Sequence, residues 1–416
     1  MSTVESSLAA AQLPRRPDPA RVKRIAGDSD ALAAAHALAA VFTTGAAERD
    51  RQRILPWAEL DLWSESGLGA ITVPGQYGGA DVSFATLAEV FVILCAADPA
   101  LGQIPQNHFG VLGVLREIGT PAQKARLYGE MLAGHRLGNA GPERRSAAAS
   151  TVLQGTTRLR ATEDGLRLDG KRFYSTGALF AHRVPARATD DAGRAVQVWV
   201  PRDAAGLTVI DDWSSFGQRT TASGTVIFAN VSVDPQDVLP LWQLADRPGL
   251  FGPTSQLIQA AIDQGIAEAA VADALAFVRE RARPWIDSGL ERATDDPYII
   301  ADVGRLQIDL HAAREVLLEA GHTLDAVAAA PIDAEASARA SVAVAEAKVL
   351  TTRIALEASE KLFELAGSAS TRAVHHLDRH WRNARTHTLH DPVRWKLHLL
   401  GNYHLNHVLP ARHSWN

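Results

Sequence analysis

The chain predicts an α+β protein in three parts: helices, then a β-domain, then a helical bundle. Three observations carry this. Apolar residues recur at helical spacing up to about residue 137 and again from about 254. Between them, from 138 to 245, short alternating runs are broken by Asp-Gly pairs. Neither βαβ alternation nor a glycine-rich dinucleotide fingerprint occurs, which argues against a Rossmann enzyme. The expected boundaries are a flexible tail at 1–20, an N-terminal α-helical domain at 21–137, the β-domain at 138–245, and a C-terminal bundle at 246–416.

In the first part, DALAAAHALAAVFTTGAAERDRQ (30–52) and FATLAEVFVILCAA (84–97) suit helices. PAQKARLYGEMLAG (121–134) suits a third, with Thr120 as its cap and Pro121 in its first turn. Gly and Pro break periodicity in GLGAITVPGQYGGAD (67–81), where Tyr77 to Gly79 reads as a structural turn. In the β-domain, Asp164-Gly165 and Asp169-Gly170 are hairpin signals, because Gly tolerates the positive φ of tight turns. AVQVWVP and GTVIFANVSV read as strands. In the bundle, Ile258, Ile262, Ile266 and Ala270 fall on one helix face. VGRLQIDLHAAREVLLEAGHTL and ASARASVAVAEAKVLTTRIALEASEKLFELA read as two long helices, alanine-rich enough for close packing.

With 416 residues, 46% of them hydrophobic, the chain can bury two or three cores. Net charge is −5 without a long basic run, which argues against nucleic acid. No apolar stretch approaches 18 residues, so no membrane partner is expected. A single cysteine, Cys95, excludes an intramolecular disulfide. The N-terminal residues do not read as a signal peptide, and a cytoplasmic location is expected.

Nine of the 15 histidines fall between His375 and His413. His387 and His390 sit three apart in RNARTHTLHDP (382–392). Such a pair could bind metal, move protons, or be polar residues at a packed helix end. No Glu or Cys stands locally, and Arg382 and Arg385 would repel a cation, so no metal site is expected. Other residues read two ways from the sequence alone. His108 could face a cavity or sit in a core. Trp213 could wall a site or pack. Arg281, in RERAR, could grip a phosphate or lie on a solvated face. Arg219 could support a ligand loop or pair with a carboxylate.

The order and spacing of GLGAITVPGQYGGAD, KRFYSTG (171–177), FGQRTTASGTVIFANVSV (216–233), DQGIAEAA (263–270) and LDRHWRNAR (377–385) resemble the acyl-CoA dehydrogenase superfamily. FYSTGALFAHR, FELAGSAST and HWRNARTHTLHDPVRWK look like its flavin-dependent monooxygenase branch, which holds dibenzothiophene monooxygenase and the sulfur-acquisition oxidoreductases. The resemblance implies an N-terminal helical domain, a β-barrel-like central domain and a C-terminal four-helix bundle, assembled as a homotetramer. It implies a two-component monooxygenase: a separate flavin reductase supplies reduced FMN, O₂ adds to form a C4a-hydroperoxyflavin, and a small organosulfur or aromatic substrate is oxygenated.

On that resemblance Ser175 contacts the flavin near N5, and Asn139 bonds the flavin or the peroxide. His390 stands beside the peroxide, with His387 in support and His108 facing the substrate cavity. Trp213 walls the ring, Arg219 supports its loop, and Arg281 reaches a flavin phosphate across a subunit interface. Ser368, in ELAGSAST, stands where dehydrogenases carry a fuller glycine-rich string, which favours FMN over FAD.

Two departures weaken a dehydrogenase reading. Asp391-Pro392 replaces the Glu-Gly that holds the dehydrogenase base, and Pro biases its predecessor away from the helical region. GNAGPERRSAAAS (138–150) replaces the usual flavin loop. The alternatives are an FAD-dependent acyl-CoA dehydrogenase using Asp391 as base, and a non-catalytic binding protein built on the flavoprotein fold.

Overall fold

The structure, a computed structural model, describes residues 12–143, 156–245, 247–413 and 415–416. The N-terminal part holds α1 (Asp28–Thr43), α2 (Ala46–Gln52), α3 (Trp57–Glu65), α4 (Phe84–Ala97), α5 (Pro99–Gln103), α6 (Gln106–Ile118) and α7 (Pro121–Leu132). Helix α4 has the expected bounds. In α7, Thr120 Oγ1 accepts from Gln123 N–H while the Gln123 side chain accepts from Thr120 N–H, a full capping box. The single helix expected over 30–52 is instead two, because the chain turns at Thr44-Gly45.

The β-domain is one mixed sheet. Its strands are β1 (Arg158–Thr162), β2 (Gly165–Arg172), β3 (Arg183–Thr189), β4 (Ala195–Pro201), β5 (Leu207–Ile210), β6 (Thr225–Val233) and β7 (Val238–Leu239), in the order β5-β6-β2-β1-β3-β4-β7. Only β1 and β3 pair in parallel among the described strands. Asp164-Gly165 makes the β1–β2 hairpin, as expected. Asp169-Gly170 does not turn the chain. It is a bulge inside β2, where the register to β6 shifts between Leu168 and Gly170. Gly170 has φ 151°, and a Cβ there would lie 2.6 Å from Thr157 Cα, so the bulge needs glycine.

Three long helices form the bundle: α8 (Phe251–Glu280), α9 (Pro297–Ala328) and α10 (Ala334–Ala366). Two short ones, α11 (Asp378–His387) and α12 (Arg394–Asn406), follow. The predicted face Ile258, Ile262, Ile266, Ala270 is fully buried. Helix α4 packs on both α8 and α9, and one apolar cluster runs through all three parts. The N-terminal helices and the bundle therefore share a core.

The tail expected over 1–20 is tied down before its end. His182 Nε2–H donates to Arg15 O at 2.9 Å, and Arg16 pairs with Asp203 at 3.1 Å. Residues 1–11 of that tail lie outside the described residues, as do 144–150 of the segment replacing the flavin loop. Among the described residues no single helix is long and apolar enough to cross a membrane.

Candidate active site

Three segments are linked through the β5–β6 loop, which touches both the turn after β2 and α11. The first follows β2. Tyr174 adopts a left-handed backbone, φ 55°, uncommon for a residue with a side chain. That turn lets Ser175 N–H donate to Gly224 O at 3.2 Å, while Tyr174 O accepts from Asn139 Nδ2 at 3.4 Å. Asn139 Oδ1 also accepts from Gly141 N–H at 2.9 Å. Asn139 and Ser175 are thus braced through one peptide. Ser175 is 1% exposed and its Oγ has no partner among the described residues. A hydroxyl merely satisfied by backbone does not describe it.

The second segment is the loop between β5 and β6. Trp213 Nε1–H donates to Gln218 O at 2.9 Å, and its half-buried ring meets Tyr174 edge-on at 6.0 Å. Gln218 N–H donates to Asn383 Oδ1 on α11 at 2.7 Å. Next to it, Gly217 lies so close to α11 that a Cβ would collide with the Arg382 carbonyl and stand 2.6 Å from Thr386 Oγ1. Among the described residues both amide atoms of buried Gln218 lack partners, as does Arg219 Nε. No ion pair forms at Arg219 among the described residues, so the carboxylate-pairing reading is not what the structure contains.

The third segment joins α11 to the bundle core. His387 is buried, and its Nδ1–H donates to Asp263 Oδ1 on α8 at 2.5 Å. Asp263 Oδ2 accepts from Lys348 Nζ at 2.7 Å and from Thr352 Oγ1 at 2.9 Å, both on α10. Burial alone would raise the Asp263 carboxyl, but Lys348 and His387 outweigh it and hold it well below the usual carboxylate range. His387 Nε2, on the opposite ring edge, is buried and has no partner among the described residues.

His390 stands next to this ring, centroids 6.4 Å apart. Its contacts are loose: Gln259 Nε2 lies 3.4 Å from both ring nitrogens, and Asp391 Oδ1 is 3.9 Å from Nδ1. Burial first, and His387 second, push His390 down to about 4. Since 38% of its side chain faces solvent, water offsets part of that depression, and the neutral ring is favoured. Asp391 is nearly buried, 3.9 Å from Lys396 Nζ, with Oδ1 unpartnered.

Not every predicted residue joins this group. His108 is buried, with Nε2–H donating to Gly69 O at 2.6 Å and Nδ1 accepting from Leu137 N–H at 3.1 Å. Both nitrogens are engaged, so it pins backbone rather than facing a cavity. Burial pushes it down to about 4. Arg281, at the end of α8, and Ser368, in the short turn Ser368–Thr371, are exposed within this single chain.

The sequence reading missed Asp263, Lys348, Gln259, Gln218 and Asn383. One signal was present: Asp263 follows Ile262 within the buried face of α8, and Lys348 interrupts the Ala- and Val-rich face of α10. A charge on a buried face is rare unless paired.

Together these segments carry buried atoms with no partner among the described residues: Ser175 Oγ, the Gln218 amide, Arg219 Nε, Thr386 Oγ1, His387 Nε2, Gln259 Oε1 and Asp391 Oδ1. Native interiors leave few such atoms. They lie on the loops and helices that the Gln218–Asn383 bond joins, where a bound ligand can satisfy them.

Residues 31–135 match the acyl-CoA dehydrogenase N-terminal domain, and residues 257–395 match the acyl-CoA dehydrogenase C-terminal domain. The chain is 35% identical to dibenzothiophene monooxygenase of Rhodococcus erythropolis, over 93% of this chain and 96% of that one. It is 31% identical to the probable FMNH2-dependent monooxygenase SfnC of Pseudomonas putida, over 92% and 96% of the two chains. The solved structure of FMN-bound TdsC from Paenibacillus sp. A11-2 superposes with a TM-score of 0.88 at 32% identity, covering 93% of this chain and all of that one.

Proposed function

We propose, for a chain that belongs to the acyl-CoA dehydrogenase family, a two-component FMN-dependent monooxygenase acting on a small organosulfur or aromatic compound. Similarity to dibenzothiophene monooxygenase and to SfnC, each across nearly the full length, supports the reaction class. The observation that carries the reading in this chain is that Ser175 Oγ and His387 Nε2 are both buried with no partner among the described residues, on segments that the β5–β6 loop links.

The residues present fit FMN. Ser175, Asn139 and the Gln218 amide would hold the ring edge, Trp213 its face, and Arg219 the loop beneath it. Bound reduced FMN supplies two electrons, so that one atom of O₂ enters the substrate and the other leaves as water. His390, favoured neutral, can donate one hydrogen bond or accept one near neutral pH. His387 offers a second imidazole from the wall. Tyr174, Trp213, Phe216 and Trp381 supply aromatic surface at the rim, suited to a flat apolar substrate and to keeping water out. Asp391 is less suited to be the base of an acyl-CoA dehydrogenase, because Pro392 follows it and the Lys396 ammonium lies beside it.

A separate reductase that delivers reduced FMN, a homotetramer and a cytoplasmic location complete the reading. Exposed Ile308 on α9 and Leu405 on α12 support assembly, and Arg281 would then be free to reach a phosphate in a neighbouring subunit. Light scattering of the purified protein tests the tetramer. The function is tested by supplying reduced FMN from a flavin reductase under ¹⁸O₂ with dibenzothiophene or an alkyl sulfinate. One ¹⁸O per oxygenation is expected, so a sulfide taken to its sulfone carries two. Hydrogen peroxide alone, with no labelled product from any organosulfur compound tried, would sink the proposal.

A further inference from the structure

Asp263 is the most enclosed charged group at the site, and nothing in the oxygenation reading requires it. It sits on the apolar face of α8 between Ile262 and Ile266, all fully buried. A carboxylate placed there without partners would not persist. It has three: Lys348 and Thr352 on Oδ2, and His387 on Oδ1.

This arrangement dictates a tautomer. An ionised carboxylate only accepts, so His387 Nδ1 must carry a proton toward Asp263. Lys348 and Thr352, one turn apart on α10, both grip Oδ2 and prevent the carboxylate from rotating away. Lys348 also balances its charge. The far ring edge of His387 then presents Nε2, buried and without a partner. His390 is held by contrast with only two contacts of 3.4 Å and has an open face. One imidazole is locked and the other is free to turn.

We propose that Asp263, clamped by Lys348 and Thr352, is a positioning residue that fixes His387 with Nδ1 protonated, making Nε2 the site's fixed hydrogen-bond acceptor for an O–H or N–H of the bound group. The functional consequence rests on the oxygenase reading; the tautomer does not.

The experiment uses full-length protein without flavin, labelled with ¹⁵N in the histidine rings. Two-bond ¹H–¹⁵N correlations of His387, assigned by comparison with His387→Asn, are expected to show Nδ1 protonated. Asp263→Leu alone would strand a buried ammonium, and Asn would keep an oxygen able to accept from Nδ1–H, so the informative variant is Asp263→Leu/Lys348→Met, which removes both charges and the acceptor. It is expected to fold and to bind FMN within about threefold of wild type, to lose the Nδ1–H pattern, and to divert reduced FMN to hydrogen peroxide with product yield down about tenfold or more. Lys348→Arg keeps the cation and should keep the pattern. The proposal is overturned if wild type shows Nε2 protonated, if the double variant retains Nδ1–H, or if it loses the pattern with product yield within about twofold of wild type. Should the double variant not fold, the wild-type spectrum and Lys348→Arg still decide. Wild type with Nδ1–H that yields no labelled product supports this assignment and fails the oxygenase reading instead.

Discussion

Asn383 and Gln218, 165 residues apart, share a 2.7 Å hydrogen bond that fastens the β5–β6 loop to α11. The same loop carries Trp213, which leans on Tyr174 beside Ser175. One side-chain oxygen on a helix thus sets the wall of a site whose other residues come from the sheet.

Replacing Asn383 with Leu would leave the Gln218 N–H buried without an acceptor. The expected cost is about 1–3 kcal/mol of folding stability. Because Trp213 is held through Gln218 O, FMN affinity should fall as well. Urea denaturation and flavin fluorescence titration check the two effects, and a variant as stable as wild type would show the bond to be dispensable.

Ser175→Ala separates folding from binding. Its Oγ bonds nothing among the described residues, so removing it should change stability of the flavin-free protein by no more than about 0.5 kcal/mol. FMN affinity should drop about tenfold, as expected for one lost hydrogen bond. Unchanged affinity would mean that Ser175 does not touch the cofactor.

His390→Ala should leave FMN binding intact while lowering product formation about 100-fold, in the range of one lost proton-transfer group. The ring makes few contacts, so little stability is at stake. Turnover within about twofold of wild type would remove His390 from the chemistry.

Acid should weaken the fold partly through His108. Its folded value of about 4 lies below the ordinary histidine value of 6.5. The unfolded chain therefore binds more protons between those values, and stability rises with pH across them. The contribution is fully present above about pH 6.5 and is lost as pH falls through about 4, a difference of about 3 kcal/mol for this buried ring. His108→Leu should be less stable than wild type at pH 8, because Gly69 O and Leu137 N–H lose their partner. Its stability should also fall less between pH 7 and 4.5. Denaturant titrations at several pH values measure both slopes, and parallel slopes would contradict the assignment.

Local elements were legible in the sequence because their causes are local. The Thr120 cap, Pro121 and Gln123 stand within four residues, and so do Asp164-Gly165 and the hairpin it makes. The i, i+4 isoleucines of α8 forecast its buried face. Asp169-Gly170 carries the same dipeptide signal as the hairpin, yet it forms a bulge. What distinguishes the two is the approach of Thr157 and the pairing with β6, neither of which is nearby in sequence.

By itself the sequence determined the order of helices, sheet and bundle, the family resemblance, and Ser175 and the His387–His390 pair as residues of interest. Only the tertiary structure decided what each does. It engaged both nitrogens of His108 with backbone, left Ser175 Oγ unpartnered, and brought Asp263 to His387 across 124 residues and to Lys348 across 85. The physical reason is that capping, turns and amphipathic periodicity act over a few residues, so composition and spacing record them. The state of a buried polar group depends on which distant atoms complete its hydrogen bonds, and those atoms are chosen by the packing of α8, α10 and α11.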